Sequence, residues 1–309
     1  MTRNAQMADS GSAFLGRRLF LGGGLAGALM AASGHYAWAE EIEMAHGTVT
    51  SKDGTSIAFD RSGAGPALIL VGGALSERSA WAPFAKLLAP HFTVVAYDRR
   101  GRGDSGDSAL YAVAREIEDL EALIDDVGGT AFVHGQSSGA VLALQATVRL
   151  PEKVQKLSLY EPPFIVNDSR PPPPQGFAEH LADLIAADSR GEAVEYWMID
   201  VVGAPPDMVT QMKSAPMWPA LEAMAHTLPY DIAVLGDGMS GRPLPAERWA
   251  DMTAPVLVMD GGASPAWIRH TAETLADALP YAEHKTLAGQ THSAAPDVLA
   301  PELQAFFAR

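Results

Sequence analysis

The sequence contains no cysteine, which excludes disulfides, thiolate catalysis and thiolate-ligated metal sites together. Basic residues are also scarce, since 22 Lys and Arg stand against 37 Asp and Glu, for a formal net charge of −15. No Lys/Arg-rich run occurs outside the N-terminal region, so the chain lacks the basic footprint that binds a phosphate backbone. The HExxH spacing of zinc enzymes is absent too. We therefore expect no nucleic acid partner, no metal and no cofactor.

A long apolar run is also missing. The apolar segment 19–32 is Gly-rich and shorter than the roughly 20 residues that span a bilayer. Arg17 and Arg18 precede it, and Ala37-Trp38-Ala39 follows it, in the order of a charged region, an apolar region and an A-x-A cleavage site. The pattern resembles a twin-arginine (Tat) signal, which exports folded proteins. It predicts a cleaved export signal over 1–39, a periplasmic or secreted protein and no stable membrane association after cleavage, with an uncleaved anchor helix as the alternative.

From residue 45 onward, short apolar runs alternate with helical patterns, which is typical of an α/β fold. The sequence predicts a mostly parallel sheet of eight strands flanked by helices, with a hairpin at Asp53-Gly54 joining the first two strands. The alternation stops at Pro162, and 162–253 is Pro-rich with helical windows only. We therefore predict a core over 40–161 and 254–309 and a helical lid over 162–253. The predicted strands are 46–51, 55–61, 67–72, 92–97, 130–134, 155–160, 255–260 and 282–287. The predicted core helices are 78–89, 112–127, 138–149, 265–279 and 296–308, and those of the lid are 176–188, 191–201, 206–213 and 217–226.

A possible nucleophile lies in Gly135-Gln136-Ser137-Ser138-Gly139, which matches G-x-S-x-G between a strand pattern and an Ala/Val/Leu-rich helix pattern. A strand that turns directly into a helix exposes the turn residue and places it at the helix N-terminus. Free N–H groups and the helix dipole favour developing negative charge there. The motif predicts that Ser137 is a reactive serine, although a small-residue turn without chemistry has the same letters.

Three further segments occur in the order of the α/β-hydrolase superfamily, and with the serine motif the chain resembles that family from 45 to 309. They are "LILVGGALSERSAW", "VVAYDRRGRGDSG" and "GQTHS". The resemblance implies that His292 is the general base, with a surface histidine as the alternative. It also implies that the backbone N–H groups of Ala74 and Ser138 form the oxyanion hole. His134, on the strand end before the motif, is interpreted as a packed residue.

The acid of the triad is missing from its usual place. After the seventh strand many family members carry G-x-x-D, whereas this chain has Gly261-Gly262-Ala263-Ser264. Two replacements are available: Glu161, at the end of the sixth strand, and Asp260, at the end of the seventh. The segment is similar to the zearalenone-type lactonases in its G-x-S-S-G-A motif, in a Glu 24 residues after the serine and in its Asp-free loop. We therefore predict Glu161 as the acid and keep Asp260 as the alternative.

Side chains for substrate binding are expected near the oxyanion loop and in the lid. Leu75 and Trp81 follow the loop, and the lid supplies Trp197, Met217 and Trp218, which suit an apolar or aromatic substrate but equally suit core packing. The charged loop 98–104 is interpreted as an ion-pair network that supports the oxyanion loop.

These residues predict a serine hydrolase of carboxylic esters or lactones that works through an acyl-enzyme on a small-molecule substrate. Two alternatives stay open. One is a non-hydrolytic use of the fold, as a cofactor-free oxygenase or haloperoxidase-like protein or a ligand-binding protein. The other is a hydrolase of carbon–carbon bonds.

Overall fold

Eight strands form one sheet in the computed structural model, which describes residues 44–309. The sheet order is β1-β2-β4-β3-β5-β6-β7-β8; β2 is antiparallel to both of its neighbours, and all other pairs are parallel. The predicted mostly parallel sheet is confirmed, and the predicted export signal over 1–39 lies outside the described residues. The strands are β1 (Met44–Thr50), β2 (Ser56–Ser62), β3 (Ala67–Val71), β4 (Thr93–Tyr97), β5 (Ala131–Gln136), β6 (Val154–Tyr160), β7 (Val256–Gly261) and β8 (Ala282–Leu287).

Helices follow most of the strands. The helices of the core are α1 (Ala82–Leu88), α2 (Val113–Asp126), α3 (Ser138–Arg149), α9 (Ala266–Ala278) and, after the last strand, α10 (Pro296–Phe307). Between β6 and β7 lie α4 (Phe177–Ala186), α5 (Arg190–Tyr196), α6 (Pro206–Lys213), α7 (Trp218–Met224) and α8 (Leu228–Leu235). Short 3-10 turns occupy Arg78–Trp81, Ala225–Thr227, Gly236–Met239 and Ala246–Trp249, and a π-helical turn occupies Trp197–Val202. Among residues 44–309, no helix combines the length and the apolar character needed to cross a membrane.

Two apolar layers cover the two faces of the sheet. Side chains of a strand alternate between faces, as in β3. Ile69 and Val71 belong to the apolar layer that contains α2, α3 and α9, whereas Leu68 and Leu70 belong to the layer that contains α1 and α10. All four side chains are fully buried. A strand that is covered on both faces is apolar at every position, which explains the continuous apolar sequence ALILV of β3.

The inserted segment, residues 162–253, is helical, as its sequence indicates, but one of its helices escapes sequence reasoning. Helix α8 has the sequence LPYDIAVL, which is apolar on all sides and therefore shows no amphipathic period. It packs on the core through a stack of Tyr230 on Tyr111, with ring centroids 4.0 Å apart, and through a hydrogen bond from Gln145 Nε2 to the Val234 carbonyl at 2.7 Å. The inserted segment is thus attached to the core at α8.

Candidate active site

Ser137 lies at the turn from β5 into α3, with φ 57 and ψ −130. This positive φ is strained for a residue with a Cβ. Glycines on both sides of the serine allow the neighbouring backbone to approach closely. A Cβ on Gly139 would lie 2.4 Å from the Gly72 carbonyl oxygen, and a Cβ on Gly135 would lie 2.5 Å from the Gly139 carbonyl oxygen. The glycines of the G-x-S-x-G motif therefore allow the turn to press against β3 and the loop that follows it.

Glu161 occupies the corresponding turn on the neighbouring strand. Gln136 and Tyr160 are paired across β5 and β6, so Ser137 and Glu161 are the next residues of two adjacent parallel strands. Glu161 also has a positive φ, of 48, and its N–H donates to the Met259 carbonyl at 2.9 Å. Parallel register therefore brings the serine and the carboxylate to the same edge of the sheet.

Glu161 contacts His292, since Nδ1 of the imidazole lies 2.7 Å from Oε2 of the carboxylate. The other oxygen, Oε1, accepts hydrogen bonds from the Gly261 N–H at 2.8 Å and from the Ser264 hydroxyl at 2.6 Å. Burial raises the pKa of the Glu161 carboxyl, but the hydrogen bonds from His292, Ser264 and Gly261 outweigh burial and hold that pKa below its ordinary value. Glu161 is only 1% exposed, so an ionised carboxylate is held at the imidazole inside the protein.

The histidine loop is fixed by the strand ends beneath it. The Tyr160 hydroxyl donates to the Thr291 carbonyl at 2.5 Å, and Gln136 Nε2 donates to the His292 carbonyl at 2.6 Å. The N–H of Ala263 donates to the Gln290 carbonyl at 2.8 Å. Three elements thus hold the backbone around His292, while its own side chain remains 51% exposed.

Asp260 faces a different histidine. Its Oδ1 lies 2.6 Å from His284 Nε2 and accepts the Thr286 hydroxyl at 3.0 Å, both on β8, and its Oδ2 lies 3.6 Å from Arg269 Nε on α9. Asp260 is fully buried. Of the two predicted acids, the structure therefore places Glu161 against His292 and Asp260 in a β7–β8–α9 contact.

The loop after β3 packs directly on the serine. A Cβ on Gly73 would lie 2.9 Å from the Ser137 Cβ, so only glycine fits there without a shift. Two buried arginines bind carbonyl groups of this loop. Arg102 Nη1 donates to the Gly73 carbonyl at 2.9 Å, and Arg99 Nη1 donates to the Gly72 carbonyl at 3.4 Å. The charged loop 98–104 thus supports the predicted oxyanion loop through these two contacts.

The backbone N–H groups of Ala74 and Ser138 are the two predicted oxyanion donors. Within residues 44–309, neither group donates to a carbonyl or a side-chain acceptor. Ala74 follows the glycine that packs on Ser137, and Ser138 is the first residue of α3. Both free donors thus lie in segments adjacent to the serine, where the sequence predicts the oxyanion hole.

Comparison with known proteins agrees with this architecture. The sequence model of the alpha/beta hydrolase family matches residues 68–302. The chain belongs to the alpha/beta hydrolase family. A crystal structure of an alpha/beta hydrolase from Sphaerobacter thermophilus DSM 20745 is 58% identical, with a TM-score of 0.80, and the match covers 84% of this chain and 100% of that chain.

Two further relatives are more distant. The uncharacterized hydrolase YraK of Bacillus subtilis (strain 168) is 34% identical over 113 residues, which is 35% of this chain and 42% of the relative. The match thus spans less than half the length of that curated relative. The 2-hydroxy-6-oxo-6-phenylhexa-2,4-dienoate hydrolase from Rhodococcus sp. strain RHA1 has a TM-score of 0.62 at 23% identity, covers 87% of this chain and 100% of that chain, and shows the shared fold.

The predicted substrate-binding residues of this alpha/beta hydrolase lie in several environments. Leu75 is 7% exposed and has a positive φ of 54, and Trp81 is 3% exposed and packs edge-on against His134. Trp197 and Trp218 are buried among the apolar side chains of the inserted segment, whereas Met217 is 52% exposed. Contact of these five residues with a substrate stays a prediction.

A groove of about 1050 Å³ lies between the core and the inserted segment. Its walls come from α2, from the face of α3 that carries Val141 and Leu144, and from residues 233–249. Neither Ser137 nor His292 lines it, so this groove is separate from the candidate active site.

His134 is a packed residue, as its sequence position indicates. It is fully buried, and its Nδ1 lies 3.1 Å from the Ser158 hydroxyl. Burial lowers the pKa of His134 to about 3, so the imidazole is neutral at ordinary pH. Among residues 44–309, no three side chains of the His, Asp and Glu types group closely enough to hold a metal ion.

Sequence reasoning misses four residues that organise the site. Gln136 and Tyr160 fix the histidine loop, Ser264 binds Glu161, and Asp231 accepts a hydrogen bond from the Ser138 hydroxyl at 2.7 Å. Asp231 carries a signal in the sequence, because it is a lone carboxylate in an apolar helix and a buried charge requires partners. The other three are identified only by the contacts of the folded chain.

Proposed function

We propose that this alpha/beta hydrolase is a serine hydrolase of carboxylic esters or lactones, with Ser137, His292 and Glu161 as the catalytic triad. The observation that carries the proposal is the 2.7 Å contact between His292 Nδ1 and Glu161, one strand away from a serine held at positive φ. A carboxylate at Nδ1 leaves Nε2 of the same imidazole as the free base. This arrangement supports the proposal, because a free Nε2 can accept the proton of a serine hydroxyl.

The reaction proceeds through an acyl-enzyme. His292 takes the Ser137 hydroxyl proton as the oxygen attacks the substrate carbonyl, and the Ala74 and Ser138 N–H groups stabilise the oxyanion. The imidazolium then protonates the leaving alkoxide, which departs from the substrate acyl group. His292 deprotonates a water molecule that attacks the acyl-enzyme, and the imidazolium then returns this proton to the Ser137 oxygen as the acid is released. In a lactone the leaving alkoxide stays attached to the acyl group, so one ring-opened hydroxy acid is released.

Glu161 has two tasks in this scheme. It orients His292 so that Nε2 faces the serine, and its negative charge stabilises the imidazolium that forms in each half-reaction. The lowered pKa of Glu161 supports both, because the carboxylate stays ionised throughout the neutral range.

An apolar or aromatic substrate is part of the proposal. Leu75 and Trp81 follow the loop that packs on Ser137, and Met217 provides an exposed, adaptable side chain in the inserted segment. We propose that the inserted segment acts as a lid on the substrate side of the serine.

A fluorophosphonate probe tests the nucleophile. We expect the wild-type protein to be labelled and the Ser137→Ala variant to remain unlabelled, with Ser105→Ala as a serine control that keeps its label. A panel of p-nitrophenyl esters and lactones, with Ser137→Ala as the blank, then tests the bond class. If the panel is inert and 2-hydroxy-6-oxo-6-phenylhexa-2,4-dienoate is cleaved in a Ser137-dependent way, the enzyme is a carbon–carbon hydrolase instead. Absence of labelling and of all hydrolysis contradicts the proposal.

Export is proposed from the twin arginines and the A-x-A site at 37–39. Expression in a bacterium with an intact Tat pathway is expected to give a processed protein in the periplasm or medium. Replacing Arg17 and Arg18 by Lys is expected to retain the unprocessed precursor in the cytoplasm. Equal export of this variant contradicts the Tat assignment.

A further inference from the structure

Asp231 lies in the inserted segment but binds only groups of the core. It is fully buried on α8, and its two oxygens accept from Arg99 Nη1, Arg102 Nη2 and the Ser138 hydroxyl, each at 2.7 Å. Burial raises the pKa of Asp231, but the charges of Arg102 and Arg99 outweigh burial and hold that pKa below its ordinary value. The carboxylate is therefore a buried negative charge with three donors.

The two arginines that bind Asp231 also contact the predicted oxyanion loop. Arg102 binds Asp231 with one terminal nitrogen and the Gly73 carbonyl with the other, at 2.9 Å. The Gly73 carbonyl and the Ala74 N–H belong to one planar trans peptide, in which the two groups point in opposite directions. The hydrogen bond from Arg102 to the Gly73 carbonyl therefore also fixes the direction in which the Ala74 N–H points, on the opposite side of the peptide. Arg99 contacts the preceding carbonyl, that of Gly72, at 3.4 Å through the same Nη1 that binds Asp231.

The third donor belongs to the other half of the oxyanion hole. The Ser138 side chain is tied to Asp231, and its backbone N–H is the second predicted donor. Ser138 directly follows the strained Ser137, so an anchored Ser138 side chain also limits how far the turn can relax. One carboxylate thus connects to both peptide groups that face the developing negative charge.

We propose that Asp231 is a positioning residue for the oxyanion hole, through which the inserted segment holds both of its donors in place. The inference rests on the proposed serine-hydrolase function. It assigns α8 a role in the chemical step itself. If the Asp231 carboxylate is removed, Arg99 and Arg102 each lose one buried hydrogen-bond partner. Arg99 then keeps the Glu116 carboxylate, at 2.6 and 2.7 Å, and Arg102 keeps Thr227 and the Gly73 carbonyl.

The test compares Asp231→Asn with Asp107→Asn. Asp107 also joins the core to α8, because its carboxylate accepts the Tyr230 hydroxyl at 2.9 Å, yet it contacts neither the Gly72 nor the Gly73 carbonyl. With p-nitrophenyl butyrate as substrate, we expect Asp231→Asn to lower kcat by roughly 100- to 1,000-fold with KM within about twofold, as for a lost oxyanion donor. Asp107→Asn is expected to keep kcat within about threefold.

A transition-state analogue separates positioning from general damage. A trifluoromethyl ketone with the same acyl chain forms a serine adduct whose oxyanion occupies the hole, whereas the matching secondary alcohol fills only the acyl pocket. In Asp231→Asn, we expect the Ki of the ketone to rise by the same factor as kcat/KM falls and the Ki of the alcohol to stay unchanged. Equal weakening of both inhibitors, or equal kcat loss in Asp107→Asn, overturns the inference.

A second variant keeps the test decisive if Asp231→Asn does not fold, which circular dichroism would show. Arg102→Lys keeps the charge but replaces the two-pronged contact with a single ammonium, so it cannot hold Asp231 and the Gly73 carbonyl together in the same geometry. It is expected to show the same ketone-selective loss. Wild-type hydrolysis with a normal kcat in Arg102→Lys overturns this inference alone, whereas no hydrolysis by the wild type overturns the proposed function and this inference with it.

Discussion

The hydroxyl of Ser264 donates a 2.6 Å hydrogen bond to Oε1 of Glu161, the carboxylate that contacts His292 through its other oxygen. Ser264 ends the Gly261-Gly262-Ala263-Ser264 segment, where the resemblance to the α/β-hydrolase superfamily implies an acid. The serine hydroxyl satisfies the oxygen of Glu161 that does not face the imidazole, which supports the proposal that Glu161 takes the place of that acid.

The contact between Ser264 and Glu161 predicts that a carboxylate at position 264, after β7, can replace the carboxylate at position 161, after β6. We expect Glu161→Gln to lower kcat by roughly 1,000- to 10,000-fold, because the imidazolium loses its counter-charge. Adding Ser264→Asp to that variant is expected to recover at least about tenfold in kcat, since a carboxylate then stands one hydrogen bond away from the old one. The control is Glu161→Gln with Ser264→Asn, which has the same size without the charge. Equal activity of the two double variants would show that position 264 cannot serve the imidazole.

Asp260 is expected to matter for stability and little for chemistry. Its contacts are His284, Thr286 and Arg269, so Asp260→Asn is predicted to lower the free energy of unfolding by about 1 to 3 kcal/mol while changing kcat by less than about tenfold. Urea unfolding and p-nitrophenyl ester hydrolysis measure the two effects. A larger kcat loss in Asp260→Asn than in Glu161→Gln would reverse the assignment of the acid.

Gly73→Ala is expected to impair the turn without unfolding the protein. The new Cβ would lie 2.9 Å from the Ser137 Cβ, so either the loop or the serine must move. Displacement of a reacting group by a fraction of an ångström predicts a loss of roughly 10- to 100-fold in kcat/KM. Gly106→Ala is the matched control, because its nearest neighbours lie at 3.4 Å and its change is expected to leave kcat/KM within about twofold. A Gly73→Ala enzyme with wild-type kcat/KM would argue against close packing of this loop on the nucleophile.

His134 predicts a measurable pH dependence of stability. The pKa of His134 is about 3 in the folded protein, against an ordinary value of 6.5. Between pH 3 and pH 6.5, the imidazole is therefore protonated in the unfolded chain and neutral in the folded protein. Stability is therefore lost as the pH falls below 6.5, by up to about 1.4 kcal/mol per pH unit. Denaturant unfolding of wild type and His134→Gln from pH 7.5 to 4.5 measures the difference in slope.

The other acid-sensitive groups are present in both proteins, so the difference between wild type and His134→Gln isolates this imidazole. If the free energy of unfolding of His134→Gln has the same pH dependence as that of the wild type, His134 takes up its proton equally in the folded and unfolded chains, and the prediction of a neutral buried imidazole is wrong.

Local patterns in the sequence are sufficient to predict the sheet and the strand–turn–helix that carries Ser137. The continuous apolar run of β3 and the strand–turn–helix around Ser137 are properties of neighbouring residues, so they are visible without a fold. Helix α8 is different, because an apolar helix with one carboxylate has no amphipathic period to reveal it. The bounds of the predicted helix 78–89 also differ, since Arg78–Trp81 forms a 3-10 turn before α1.

The sequence by itself determined which residues could act as nucleophile, base and acid, because residue type and order along the chain follow from the letters alone. It left Glu161 and Asp260 as alternatives, since both end a strand. Only the tertiary structure decided which carboxylate meets His292, because strand register and the direction of a side chain at positive φ depend on neighbours distant in the sequence. The hydrogen bonds of Asp231 with Ser138 and of Ser264 with Glu161 also depend on the tertiary structure, because each joins segments about 90 to 100 residues apart in the sequence.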